Sequence, residues 1–108
     1  MAFSLADLEA VIAARAQSSA AASYTKSLLE AGTARCAKKF GEEAIETVIA
    51  AVHEDRKAFV AETADTLYHL LVLVHSRGAT LQDALDELER RTTQSGHQEK
   101  AARGRPAG

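Results

Sequence analysis

Five carboxylates in two groups carry the most chemistry in this sequence: Glu42, Glu43 and Glu46, then Glu62 and Asp65. Glu43 with Glu46, and Glu62 with Asp65, are each three residues apart. On an α-helix that spacing puts two side chains on one face about a turn apart, with Cβ atoms roughly 5–6 Å from each other. The stretch between the groups, Thr47–Ala61, carries Val48, Ile49, Val52, Phe59 and Val60 at helical spacing. Midway between the two pairs lies residue 54, inside the polar run His53, Glu54, Asp55, Arg56, Lys57. If that run turns the chain between antiparallel helices, both pairs stand at the same height above it and four carboxylates converge.

Such convergence has a cost. Like charges at helical spacing each destabilise by roughly 0.2–0.5 kcal/mol when solvated, and by more in a groove of low dielectric. A cation normally offsets it, and a set of oxygen ligands without Cys favours Mg²⁺ or Mn²⁺ over zinc or copper. Magnesium keeps several waters and commonly bridges carboxylates to substrate phosphates, which points to metal-assisted attack on a phosphoanhydride. The plainer reading is two solvated acidic helix faces, the usual meaning of a Glu-rich helix. A single EExxE would favour it; two pairs symmetric about a turn, each beside an apolar face, favour the metal site.

The elements that must hold these acids follow from caps and periodicity. Asp55 is a suitable N-cap, and one unbroken helix from Arg35 to Arg77 would far exceed the mean of about 11–12 residues, so a hairpin is expected. Ahead of it, Ser4 with Asp7 opens a helix bearing Leu5, Leu8, Val11 and Ile12, and the run 16–23, rich in Ala and Ser, is a connection. Ser23 caps a short helix with Tyr24, Leu28 and Leu29 that Gly32 ends, and Thr33 can cap the next. Lys38 and Lys39 each precede a Glu by four residues. They read either as surface ion pairs or as ammonium groups placed on substrate phosphates. Gly41 costs the helix about 1 kcal/mol relative to Ala, suggesting close approach of a backbone or substrate, or a kink.

The helix after the turn is apolar nearly all round from Leu67 to Val74, as in an element with several neighbours. His69 shares the stripe of Asp65 and reads as a packed histidine with a hydrogen-bond partner, and Tyr68 as core or interface. Gly78 ends that helix. Thr80 with Asp83 starts the last one, where Leu81, Ala84, Leu85 and Leu88 form an inward or dimer-facing stripe opposite solvated acids. From Thr92 the chain is polar, and residues 94–108, with Lys100, Arg103 and Arg105, are expected to form a flexible tail to a domain of residues 1–93.

The combination of EExxE at 42–46 and ExxD at 62–65 resembles the MazG-like all-α nucleoside triphosphate pyrophosphohydrolases. Ser23-Tyr24-Thr25 with Leu28-Leu29, the run Lys38 to Glu43 (KKFGEE) and the run Ala64 to Val72 (ADTLYHLLV) narrow the likeness to the phosphoribosyl-ATP pyrophosphohydrolases of histidine biosynthesis. Ser95-Gly96 and Glu99-Lys100-Ala101 are similar to that family's C-terminus. The resemblance implies hydrolysis of the α,β-phosphoanhydride of phosphoribosyl-ATP to phosphoribosyl-AMP and pyrophosphate, and a homodimer whose sites lie near the shared surface. On that reading Glu43, Glu46, Glu62 and Asp65 ligate Mg²⁺, with Mn²⁺ as an alternative, and Glu42, or a neighbouring Glu in exchange with it, orients or deprotonates the attacking water. One or both of Lys38 and Lys39 contact phosphates. A housecleaning hydrolase of other nucleoside triphosphates and a non-catalytic helical interaction module are the competing readings.

Bulk properties agree with an all-α enzyme of four to five helices. At 108 residues the chain is one domain, and its 23 alanines, one proline and five aromatics suit packed helices better than a sandwich of strands. A net charge of −2 argues against a nucleic-acid partner. Lone Cys36 and the absence of a basic leader at the N-terminus suggest a cytoplasmic setting. The apolar run 67–74 is far short of the ~20 residues of a membrane span. No P-loop, zinc spacing or nucleophile elbow occurs, so water is the natural nucleophile.

Overall fold

The computed structural model describes residues 2–93, which form five helices: α1 (Leu5–Arg15), α2 (Tyr24–Ala31), α3 (Thr33–His53), α4 (Arg56–Ser76) and α5 (Leu81–Thr92). No strand occurs among the described residues, so the fold is an all-α bundle. The expected tail, 94–108, lies outside them.

Each helix begins on a polar side chain that meets its free amides, except one. Ser4 accepts from the amide of Asp7 while Asp7 accepts from the amide of Ser4, closing a capping box; Thr80 and Asp83 do the same for α5. Ser23 accepts from the amide of Lys26 and Asp55 from that of Ala58. The exception is α3. Gly32, at φ 98°, both ends α2 and precedes α3, a backbone conformation that a residue with a Cβ rarely adopts. Thr33 therefore sits inside α3 rather than capping it, and its hydroxyl donates instead to the carbonyl of Ser76, tying the start of α3 to the end of α4.

The hairpin α3–α4 is the frame. Its turn is tighter than the polar run suggested: His53 ends one helix, Arg56 starts the next, and only Glu54 and Asp55 lie between. The other helices gather on the end away from the turn. Ile12 of α1, Leu28 of α2, Cys36 of α3 and Leu71 and Val72 of α4 form the buried core, with Leu8, Leu29, Tyr68, Leu73 and Leu81 packed on it. The Cys36 thiol donates to the carbonyl of Leu28 at 3.3 Å, and burial pushes its pKa up, so it behaves as a core residue. Helix α5 lies chiefly against α1, where the Glu9 carboxylate accepts from the amide of Leu81 at 2.7 Å.

Among the described residues no other helix covers the half of the hairpin nearer the turn. Ile45, Val48, Ile49 and Val52, spaced i, i+3, i+4, i+7, are exposed, as are Val60, Leu67 and Leu70 on α4 and Leu85 and Leu88 on α5. Leu67 and Leu70 thus depart from the expected all-round packing of the 67–74 run, whereas Leu71 and Val72 meet it. Among the described residues no helix is long and apolar enough to cross a membrane.

Candidate active site

The antiparallel hairpin brings the two acid groups together. Ligand atoms of Glu43, Glu62 and Asp65 all lie within 4.8 Å of one another, a grouping able to hold a metal ion. Glu46 stands beside them, near enough to both Glu43 and Glu62 for its carboxylate to raise the pKa of each through charge and hydrogen bonding. Glu43 is raised first by desolvation, then by the charges of Glu46 and Asp65, with Lys39 acting in the opposite sense. Glu62 is raised by desolvation, then by Glu46, Asp65 and Glu43. A protein that crowds four acids pays for it unless a cation is shared among them.

One oxygen makes the fit to a cation specific. Glu62 Oε2 is buried and has no hydrogen-bond partner among the described residues, an expensive state for a carboxylate oxygen. An all-oxygen set with such an orphan suits a hard divalent ion, because coordination meets the oxygen that no donor reaches.

Below the acids, two threonines set the register. Thr47 follows Glu43 by four residues and Thr66 follows Glu62 by four, so each hydroxyl lies one turn along its helix from a site carboxylate. The two hydroxyls meet at 2.6 Å between the helices. Thr47 Oγ1 is also 2.9 Å from the carbonyl of Glu62, and Thr66 Oγ1 donates across the hairpin to the carbonyl of Glu43 at 3.0 Å. With one proton on each hydroxyl, two of these three contacts are hydrogen bonds at a time, and each hydroxyl reaches the backbone of the opposite ligand-bearing turn. Neither threonine stands out in sequence as a catalytic type. The equal offset from Glu43 and Glu62 is the signal that marks them.

The flanking residues separate into near and far. Lys39 Nζ lies 3.8 Å from Glu42, an i,i+3 pair in place of the expected i,i+4 pairs, and its charge reaches Glu43 and His69. Glu42 itself is about half exposed, at the rim rather than inside the cluster. Lys38 is exposed and one position round the helix from Lys39. At Gly41 α3 continues as helix, and a Cβ there would meet nothing within 4 Å, so among the described residues no other backbone approaches it closely.

His69, one turn beyond Asp65, is buried with its ring edge-on to Tyr68 (centroids 5.0 Å apart) and Tyr24 (6.2 Å). It is packed as expected, yet its Nδ1 finds no partner among the described residues. Burial, reinforced by Lys39 and opposed by Asp65, lowers its pKa, which keeps the ring neutral near pH 7. Tyr68, as expected, belongs to the packing: its hydroxyl pairs with that of buried Thr25.

Residues 5–92 match the family described as phosphoribosyl-ATP pyrophosphohydrolase. The chain is 59% identical to a phosphoribosyl-ATP pyrophosphatase of Azorhizobium caulinodans over 101 residues, covering 94% of this chain and 93% of the relative. It is 55% identical to one of Nitrobacter hamburgensis (95% and 96% covered) and 54% identical to one of Rhizobium meliloti (96% and 97%).

Proposed function

Since this chain belongs to the phosphoribosyl-ATP pyrophosphohydrolase family, we propose that it hydrolyses phosphoribosyl-ATP to phosphoribosyl-AMP and pyrophosphate in histidine biosynthesis. The chain is a hydrolase, and the observation that carries the chemistry is the meeting of Glu43, Glu62 and Asp65 within 4.8 Å on one edge of the hairpin. Those three residues with Glu46 would hold Mg²⁺, or Mn²⁺ in its place. When bound, the ion supplies charge neutralisation and Lewis acidity at the phosphates.

The chain's own residues do the rest. Lys39, drawn towards the acids, contacts the phosphates as a point charge, with Lys38 further out. Glu42, at the rim and already ion-paired to Lys39, orients the attacking water and accepts its proton. The threonine pair holds the two ligand-bearing turns at fixed separation, so little reorganisation accompanies substrate binding. The leaving group is pyrophosphate and no covalent enzyme species is needed.

Pyrophosphate release from phosphoribosyl-ATP, measured beside ATP, dCTP, dUTP and ITP with Mg²⁺ and then with chelator, tests the reading. The expected result is a strong, metal-dependent preference for phosphoribosyl-ATP. Preference for another triphosphate would move the chain to housecleaning, and no release from any would leave an interaction module.

The same reading takes a second copy of the chain as partner. Ile45, Val48, Ile49 and Val52 form an exposed apolar stripe on α3, with Val60 and Leu67 beside it on α4, more than a small monomer normally leaves to water. Sedimentation should give a dimer, and Val48→Glu a monomer. A monomeric parent chain would remove this part of the proposal.

A further inference from the structure

A second opening lies between the end of α1 and the start of α2. It encloses about 550 Å³, and its wall includes Arg15, Ser18, Ser23, Tyr24, Thr25 and Tyr68. That volume falls in the range of small-molecule sites, roughly 300–1,000 Å³. Its chemistry is the reverse of the acid edge. Among the described residues Arg15 is the only charged one on the wall, no carboxylate lines it, and five of the lining residues carry side-chain hydroxyls. Tyr24 and Thr25 open α2, and the Ser23 hydroxyl takes the amide of Lys26, leaving the first two helix amides without an acceptor inside the helix. The positive end of a helix therefore adds to the Arg15 charge.

This wall is built into the site already described. Thr25 is buried and its hydroxyl pairs with that of Tyr68; His69 packs edge-on against both Tyr68 and Tyr24. Tyr68 and His69 follow Asp65 on α4 by three and four residues, one turn of about 5.4 Å along the helix axis. An acid edge and a basic, hydroxyl-lined cavity thus adjoin along one helix.

The proposed substrate has two anionic ends of different kinds. Its triphosphate is the reacting end. Its second ribose, the part that ordinary ATP lacks, ends in a phosphate monoester that four nearby carboxylates would repel. We infer that the cavity beside Arg15 receives this ribose phosphate, with the guanidinium contacting the phosphate and the Tyr68 side the sugar. Arg15 is then the residue that tells phosphoribosyl-ATP from a simple nucleoside triphosphate. A planar guanidinium suits a phosphate, which it can grip through two hydrogen bonds.

The inference rests on the reading above, and a binding measurement separates the two. Ribose 5-phosphate titrated into metal-free protein should give saturable amide shifts at Tyr24, Thr25 and Tyr68. Arg15→Gln should weaken that binding about tenfold or more, the size of one lost charge-assisted contact, and Arg15→Lys should restore part of it. Kinetically, Arg15→Gln should raise KM for phosphoribosyl-ATP about tenfold with kcat within about threefold, the signature of a lost binding contact away from the reacting bond. Arg56→Gln, at the turn end of the hairpin, should leave KM unchanged. Shifts that fail to saturate, that ignore Arg15→Gln, or an unaltered KM in that variant would overturn the inference while metal-dependent turnover of phosphoribosyl-ATP stood. A parent chain that bound ribose 5-phosphate at these residues yet released no pyrophosphate would instead overturn the functional reading and leave the pocket.

Discussion

The α3–α4 hairpin and helix α5 are both well-marked helical structures, yet one makes an environment and the other makes only itself. Helix α5 has a complete capping box at its start and Arg90 and Arg91 in its last turn, which suit the helix dipole. No residue of α5 is buried, and Leu85 and Leu88 are 43% and 53% exposed. The hairpin has one conventional cap, at Asp55, and its start rests on Gly32 without a side-chain cap. It nevertheless holds crowded acids, a buried orphan oxygen and a hydroxyl pair between helices. Local signals are enough to start and stop a helix, whereas a site needs a second helix at the correct register.

The strongest way to break this contrast is to remove a site acid. Asp65→Asn should lower metal-dependent turnover by a factor of 100 or more, on the order of 3 kcal/mol of lost transition-state stabilisation. The same change should stabilise the metal-free protein. Glu43 and Glu62 have folded-state pKa values raised above the ordinary 4.5, first by desolvation, then by Glu46 and in smaller part by the charge of Asp65. Raised values mean stability that is complete below 4.5 and is lost as pH rises through the folded values, because the folded state holds protons the unfolded state releases. The variant's gain in melting temperature should therefore be near zero at pH 4 and appear by pH 7. Added Mg²⁺ should reverse the order, stabilising the parent chain by mass action and the variant much less. Equal melting curves at pH 7 without metal would show that the acids are solvated surface charge.

The acid pairs were legible in the sequence because helical spacing and a centred turn fix where side chains meet. The caps at Ser4, Ser23, Asp55 and Thr80 were legible for the same local reason. Thr33 was misread because its type suits a cap, while the chain reverses direction at Gly32 and leaves Thr33 within the helix, facing Ser76. Thr47 and Thr66 were missed because a mid-helix threonine has no chemistry of its own, and its value here lies across the hairpin. The His69 stripe position was readable, but whether Nδ1 finds a donor or acceptor depends on neighbours distant in sequence. Periodicity likewise draws a face on α5 without saying what covers it.

Removing the hydroxyl pair should have a middling effect. Thr47→Val keeps shape and removes the hydroxyl that meets Thr66 and the Glu62 carbonyl, its one proton serving one of them at a time, at a cost of about 1 kcal/mol in stability. Thr66→Val should cost a similar amount, and the double variant less than the sum, because both singles lose the shared bond. Mg²⁺ affinity should fall a few-fold in each, since the register of the ligand-bearing turns is loosened. Additive losses in stability, measured by denaturant titration, would show that the two hydroxyls act separately.

The smallest effect belongs to α5, where the contrast can be sharpened with pH alone. Glu87 accepts from Arg90 at 2.5 Å and from Arg91 at 3.2 Å, and these hydrogen bonds pull its pKa from 4.5 to about 2. A lowered folded value means a contribution present above 4.5 and lost as pH falls towards 2. The group is at the surface, so salt screens it and the contribution is slight. Amide exchange in residues 87–92 should quicken modestly between pH 6 and pH 3, after correction for the intrinsic pH dependence. Glu87→Gln should show the faster exchange already at pH 6, and added salt should shrink the difference. Exchange in α3 around Thr47 should not respond to the substitution at all, because α5 packs chiefly on α1 and its Leu81 joins the core at the end of the hairpin away from the turn. A matching change at Thr47 would mean that α5 and the acid-bearing hairpin unfold as one unit, and the distinction between an element that makes a site and one that merely caps itself would fail.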